Sequence, residues 1–398
     1  MKIALVSEHA SPLATLRGAD AGGQSVHVAA LANSLAERGH DVVVYTRRAD
    51  TRQPDQVTMA SGVVVDHVPA GPPESLPKDE LLPYMPSFAA HLARHWKTDR
   101  PHIVHAHHWM SGLAALGATR HVKVPIVQSY HALATTDQRW QKGDDTSPPE
   151  RYAIEEEIGR RANVIIANCT QEARELQTMR VPVRNVCVVP RGVDLKVFRP
   201  SRRRPAGAGT RPRLLSLGRT MPHKGVETII QALREVPQAE LVIAGGNMKD
   251  PEVVRLRKLA ATLELDDRVK MVGKVSRKNV PALVSSATVL VTVPWYESFG
   301  MVPLEAMASG VPVVASAVGG HLDTVTGAGI LVRPRHPRTL ARVLNGLLES
   351  EQLRRDLASA GVKRVRAKYG WPQVAAQTER IYRRAIAGRD PISTTVGR

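Results

Sequence analysis

Apolar positions recur along this chain in two alternating rhythms. Short continuous apolar runs mark buried strands, and stripes repeating every three to four residues mark helices. Lys2–Ser7 reads as a first buried strand. Gln24–Arg38 follows as a helix, with Val26, Ala29, Ala30, Leu31 and Leu35 on one stripe and Gly39 as its stop. Further strands are predicted at Val42–Thr46, Ile103–Ala106, Val124–Ser129, Val164–Ala167 and Val186–Val189, with helices at Pro149–Arg161 and Thr170–Met179. Continuous runs imply strands buried on both faces, hence a parallel sheet covered by helices. Phe198–Gly209 is basic and rich in Pro and Gly and reads as a linker. The alternation then restarts, with strands at Arg213–Leu217, Glu240–Ala244, Val269–Val272, Val289–Val293, Val311–Ala315 and Gly329–Val332. Helices at Val226–Glu235, Glu252–Leu263, Pro281–Ser286 and Arg338–Leu348 separate them, and a basic amphipathic helix at about Gln373–Ile386 ends the pattern. The pattern predicts an α/β chain of two Rossmann-like, doubly wound domains, residues 1–195 and 205–375, with a C-terminal helix and tail over 376–398. In such a twin arrangement ligands bind in a cleft at the carboxyl ends of the two sheets.

Composition narrows this further. The chain has 398 residues, 43% hydrophobic and 23% charged, which suits folded domains rather than disorder or coiled coil. Its net charge of +18 fits anionic small ligands, a membrane surface, nucleic acid or simply a solvated Arg-rich exterior. Aromatics are only 4% and no nucleic-acid-binding pattern is present, so nucleic acid is not expected as a partner, whereas peripheral membrane contact stays open. Two cysteines, Cys169 and Cys187, exclude a disulfide scaffold and a Cys-based zinc site. No apolar run approaches the roughly 20 residues of a membrane span, and Met1–Val6 is too short for a signal peptide, so the expected compartment is the cytoplasm. Oligomeric state leaves no mark in the sequence.

Several stretches carry chemistry. Asp20-Ala21-Gly22-Gly23-Gln24 opens the first helix, where paired glycines let N–H groups approach an anion or simply make a tight loop; it is not a dinucleotide fingerprint. Gly218-Arg219-Thr220-Met221-Pro222-His223-Lys224-Gly225 follows a strand and suits two cations converging on a diphosphate, or a basic surface turn; its glycine spacing is not that of a P-loop. In Glu297-Ser298-Phe299-Gly300-Met301-Val302-Pro303-Leu304-Glu305, Pro303 fits the first turn of a helix. Its two carboxylates then bracket a helix start that suits phosphate. The pair suits ribose and sugar hydroxyls, a glycosidase acid and nucleophile, or a capped helix end. His131 lies at a strand end, and His105, His107 and His108 cluster at another, where no carboxylate or cysteine set completes a metal site.

Gly22-Gly23, His131, Val189-Pro190-Arg191-Gly192-Val193-Asp194, Gly218-Arg219 with Lys224-Gly225, and Glu297-Ser298-Phe299-Gly300 through Glu305-Ala306-Met307-Ala308-Ser309-Gly310 occur in that order. Together they resemble the retaining nucleotide-sugar glycosyltransferases of family four, which have the GT-B fold. The first domain looks most like members with sugar-phosphate or polyol-phosphate acceptors, such as sucrose-phosphate synthases and inositol-phosphate N-acetylglucosaminyltransferases. That likeness rests on Asp20–Gln24, Gly71-Pro72 with Lys78, and His105-Ala106-His107-His108-Trp109; Arg191 departs from the Asn of many members. The resemblance implies hexosyl transfer from a nucleoside-diphosphate sugar, UDP favoured over GDP or ADP, with retention at the anomeric carbon. Arg219 and Lys224 would hold the diphosphate, Glu305 the ribose and Glu297 the transferred sugar. Backbone N–H groups of Phe299, Gly300 and Met301 would face phosphate or sugar, with Gly23 beside the diphosphate and His131 near the reacting sugar. Lys78, His108 and Arg151 would meet the acceptor. The chain has no Asp-x-Asp, and no metal or other cofactor is expected. Aminocyclitol, natural-product or lipid-linked acceptors remain alternatives, as do an epimerase and a pseudo-glycosyltransferase of the same fold.

Overall fold

The structure, a computed structural model, describes residues 1–15, 22–120, 122–136, 146–201 and 211–388. The chain divides into two compact units, Met1–Gly192 joined by the chain from Trp371 onward, and Val193–Gly370.

The first unit runs β1 (Lys2–Val6), α1 (Gly23–Glu37), β2 (Asp41–Arg47), β3 (Gln56–Thr58), β4 (Val64–Val68), α2 (Met85–Thr98), β5 (Ile103–His107), α3 (Trp109–Ala118), β6 (Ile126–Ser129), α4 (Arg151–Arg161), β7 (Val164–Ala167), α5 (Thr170–Thr178) and β8 (Val186–Val188). Its sheet has the order β3-β4-β2-β1-β5-β6-β7-β8. All pairs are parallel except β3 with β4. Strands reading Ile3-Ala4-Leu5-Val6 or Val164-Ile165-Ile166-Ala167 are buried on both faces. One face packs Phe88, Trp96, Trp109, Ile158 and Leu176, and the other packs Leu31, Leu35, Val44 and Val127.

The second unit runs β9 (Arg213–Leu217), α6 (Val226–Leu233), β10 (Glu240–Ala244), α7 (Pro251–Thr262), β11 (Val269–Gly273), α8 (Val280–Ser285), β12 (Val289–Thr292), α9 (Met301–Ala308), β13 (Val313–Ser316), α10 (His321–Thr324), β14 (Ile330–Val332), α11 (Pro337–Glu349) and α12 (Glu351–Lys368). Its sheet is wholly parallel, in the order β11-β10-β9-β12-β13-β14. In each sheet the strand order reverses once, at β1/β5 and at β9/β12. In open parallel sheets that switch point is where loops diverge at the carboxyl ends and leave room for a ligand.

The last helix, α13 (Trp371–Ile386), corrects the expected domain boundaries. It belongs to the first unit rather than to an appended tail, and the second unit stops at Gly370 instead of residue 375. Its stripe Trp371, Val374, Ala375 and Tyr382 is buried in the same core as Leu31 and Leu35 of α1. An apolar stripe of that width must be covered, and α1 covers it. Most of the expected linker, and Asp20-Ala21 of the first glycine motif, lie outside the described residues. No described helix is long and apolar enough to cross a membrane.

Candidate functional site

In the second unit the switch-point loops carry the paired motifs. After β9 the chain passes Gly218 and Arg219 and makes a tight turn at Pro222–Lys224. It enters α6 through Gly225, whose φ is +71°. A side chain at Gly225 would put Cβ 2.1 Å from the Val293 carbonyl oxygen, so only glycine lets this loop lie against the end of β12. The approach brings Lys224 to the second motif: its Nζ donates to Glu297 Oε2 at 2.9 Å. Burial works to raise the Glu297 carboxyl, but Lys224, His321 and the Phe299 N–H outweigh it and bring its pKa to about 2. Glu297 is therefore ionised at neutral pH, and the Lys224 ammonium is held beside the start of α9. Phe299 is buried, and its N–H points to Glu297 Oε1 at 3.4 Å. Gly300 adopts φ +92° to turn the chain into α9, whose first residue is Met301. Arg219, two residues beyond the carboxyl end of β9, is exposed.

Glu305 lies one turn inside α9, 2% exposed, with Oε1 2.6 Å from Arg277 Nη2. Burial raises its carboxyl above the usual range in spite of Arg277. Arg277 was not anticipated, although a basic residue beyond the carboxyl end of β11 is the same kind of signal that marks Arg219. His321 and Gly319-Gly320 were also missed. His321 Nδ1 donates to the Ser316 carbonyl at 3.1 Å, its Nε2 has no hydrogen-bond partner, and it packs against Gly300. Gly320 donates its N–H to the Glu297 carbonyl at 2.9 Å and supports the motif from behind.

The first unit places His131 in a buried imidazole cluster. His131 has φ +65° and His108 has φ +82°, conformations that cost a non-glycine residue about 1–3 kcal/mol and collect at functional sites. Arg191 Nη2 donates to His131 Nδ1 at 3.0 Å. Since guanidinium only donates, His131 must carry its hydrogen on Nε2, which meets His107 Nδ1 at 3.0 Å. Both nitrogens of His131 are thus engaged, which fixes the orientation of its ring. Burial first, then Arg191, hold its pKa well below the ordinary imidazole range. Gly23 begins α1, and a Cβ there would lie 3.7 Å from Arg191 Nη1.

The expected acceptor residues are not gathered into one exposed patch. Lys78 is half-exposed at the start of a short turn and pairs with Asp79 at 3.7 Å. His108 is buried, with Nδ1 2.9 Å from Glu8 Oε1. Arg151 is 1% exposed, and its guanidinium donates to Glu155 at 2.7 Å, Ser147 at 2.8 Å and the Ala132 carbonyl at 3.0 Å. Those bonds hold the segment after His131 to α4, so an acceptor phosphate has to compete with a buried carboxylate for this side chain.

The comparisons with known proteins agree with this geometry. Residues 21–197 match the family described as Glycosyltransferase Family 4, and residues 198–364 match Glycosyl transferases group 1. The D-inositol 3-phosphate glycosyltransferase of Kineococcus radiotolerans is 35% identical over 98% of this chain and 96% of its own. The protein of that name from Mycobacterium marinum is 35% identical over 98% and 89%. Among solved structures, the sucrose-phosphate synthase of Thermosynechococcus elongatus superposes with a TM-score of 0.85 at 30% identity, covering 98% of this chain and 100% of that one. With its two parallel-sheet units and the family motifs at their switch points, the chain belongs to the family 4 glycosyltransferases and has the GT-B fold.

Proposed function

We propose that this enzyme moves a hexosyl group from a UDP-sugar to a phosphorylated sugar or polyol, with retention at the anomeric carbon and without a metal. The observation that carries the donor half is the Lys224–Glu297 ion pair at the β9/β12 switch point, beside the start of α9. As the glycosidic bond breaks, negative charge grows on the leaving diphosphate. Lys224, Arg219 and the unsatisfied N–H groups of the helix start stabilise that charge without reorganising. Glu297 keeps Lys224 in place and offers a carboxylate to sugar hydroxyls. Glu305, fixed by Arg277, offers acceptors to the ribose. The departing phosphate oxygen takes the acceptor's proton on the same face, so the chain needs no covalent nucleophile. His131 is held between Arg191 and His107, and no step of the transfer requires it as a base.

The acceptor half rests on the names of the relatives, which specify an inositol phosphate and a sucrose phosphate. Of the expected acceptor residues, Lys78 is the exposed one, its side chain 49% accessible to such a phosphate. Screening UDP-, GDP- and ADP-sugars for thermal stabilisation identifies the donor. Nucleotide release with D-inositol 3-phosphate and with free inositol then tests the acceptor. A preference for the phosphorylated compound that shrinks in Lys78→Ala is expected; equal rates on both would overturn the acceptor assignment. An epimerised nucleotide sugar formed from donor alone would overturn the transfer reaction itself.

A further inference from the structure

Far along the first sheet from its switch point, β4 and α2 bring together three metal-ligand side chains that the transfer reaction does not use. Asp66 sits in the middle of β4, and His91 and His95 sit one turn apart on α2, hence on the same face of that helix. His91 Nε2 lies 3.1 Å from Asp66 Oδ1, and His95 Nδ1 lies 3.9 Å from Asp66 Oδ2. The two imidazoles stack with centroids 5.0 Å apart, and one ligand atom from each of the three residues falls within 4.8 Å of the others. We propose that Asp66, His91 and His95 form a binding site for a divalent transition metal of the zinc class.

Geometry supports this. Ligand atoms held about 2.0–2.1 Å from a tetrahedral ion stand roughly 3.4 Å from one another, and the two Asp66 distances straddle that value. Two imidazoles with one carboxylate suit zinc, nickel or copper rather than magnesium or calcium. Asp66 Oδ2 also accepts from the Gln56 side-chain amide at 2.9 Å, the kind of outer hydrogen bond that fixes a ligating carboxylate. Charge supplies an independent argument. Asp66 is 3% exposed, and among the described residues no Lys or Arg pairs with it; the groups facing its carboxylate are His91, His95 and Gln56. A bound cation would add the full countercharge that hydrogen bonds from Gln56 and His91 do not supply to this buried carboxylate. The His95 side chain is 41% exposed, so an ion can reach the site from solvent.

The other two clusters suit a cation less well. His131 has the Arg191 guanidinium against it, and the Glu8 carboxylate is already taken up by His9, His108 and Ser111. A metal at Asp66 would tie α2 to β4, so its effect would be on the first unit's stability rather than on sugar transfer.

The test uses the tag-free, full-length chain, stripped with EDTA and exchanged into chelator-free buffer. Zn²⁺ is titrated by competition with a chromogenic chelator, and Co²⁺ is added separately to read ligand-field absorption. One equivalent should bind, Co²⁺ should give the intense visible bands of a four-coordinate ion, and Zn²⁺ should raise the melting temperature. His95→Gln, at a partly exposed position, should fold normally and weaken Zn²⁺ binding about 100-fold, as should Asp66→Asn. Unchanged affinity in His95→Gln, or Co²⁺ spectra of the hexa-aquo ion in the parent chain, would overturn the proposal.

Discussion

Gly320→Ala is the most direct probe of the donor loop. Gly320 has φ −63° and ψ −17°, so alanine suits its backbone and the substitution acts through space alone. An added Cβ would lie 2.4 Å from Phe299 Cα and 2.5 Å from the Phe299 carbonyl oxygen. Non-bonded carbons rest about 3.5 Å apart, so the Phe299 backbone must retreat by about 1 Å. That movement carries the Phe299 N–H away from Glu297 and displaces the entry to α9. A 1 Å misplacement of a positioning group lowers turnover on the order of 10²-fold, and overpacking of this kind costs about 1–3 kcal/mol. The expected result is a fall in kcat/KM for the UDP-sugar of about 100-fold, with a drop of several degrees in the second unit's melting transition. Gly346→Ala is the control. It lies exposed inside α11 with nothing within 4 Å of its Cβ, and should stabilise the unit by about 0.5–1 kcal/mol with normal kinetics. Gly320→Ala kinetics within about twofold of the parent would refute the view that the Glu297–Met301 segment holds the donor.

Three further outcomes are expected. Lys224→Ala should lower kcat by roughly 10²-fold or more, whereas Glu305→Ala should chiefly raise the donor KM, since ribose contacts are alike in ground and transition states; the reverse pattern in steady-state kinetics would exchange the two roles. Acid should destabilise the first unit: His27, His105, His107, His108 and His131 all have pKa values held below the ordinary 6.5, chiefly by burial. As pH falls from 7 to 5 the unfolded chain takes up protons that the folded one refuses, so each imidazole removes up to about 1.4 kcal/mol of stability per pH unit. Urea midpoints unchanged between pH 7 and pH 5 would contradict this. Transfer should persist in EDTA even where chelation lowers the melting temperature; activity abolished by EDTA and restored by Mg²⁺ or Mn²⁺ would contradict the metal-free chemistry.

The sequence displayed the central strands well because they are apolar on both faces. Arg213–Leu217, Glu240–Ala244 and Val164–Ala167 were predicted with the observed bounds. It hid β4, whose buried Asp66 and His67 interrupt the apolar run, and α12, an 18-residue helix that buries only Gly361 and Val365. In the candidate site, residues standing in motifs beside strand ends were visible, as with Lys224 and Glu297. The motifs also showed Arg191 but not its hold on His131, and Arg277 went unmarked, because both act on neighbours far away in the chain. The burial of Arg151 was not legible either, because in sequence an arginine with a carboxylate four residues later resembles an ordinary helix-surface pair.

The return of α13 to the first unit sets the order of events during synthesis. The β1–β8 half emerges from the ribosome first, yet its core lacks Trp371, Val374, Ala375 and Tyr382 until the whole second unit has been made. His105, in the middle of β5, waits for the same residues, since its Nδ1 meets the Tyr382 hydroxyl at 2.6 Å. At ~5–20 residues per second the intervening unit takes on the order of ten to forty seconds to appear. Over that interval the nascent first sheet exposes an apolar face, while the unit inserted into it can fold to completion. The earlier-made half of this enzyme is therefore the later one to mature.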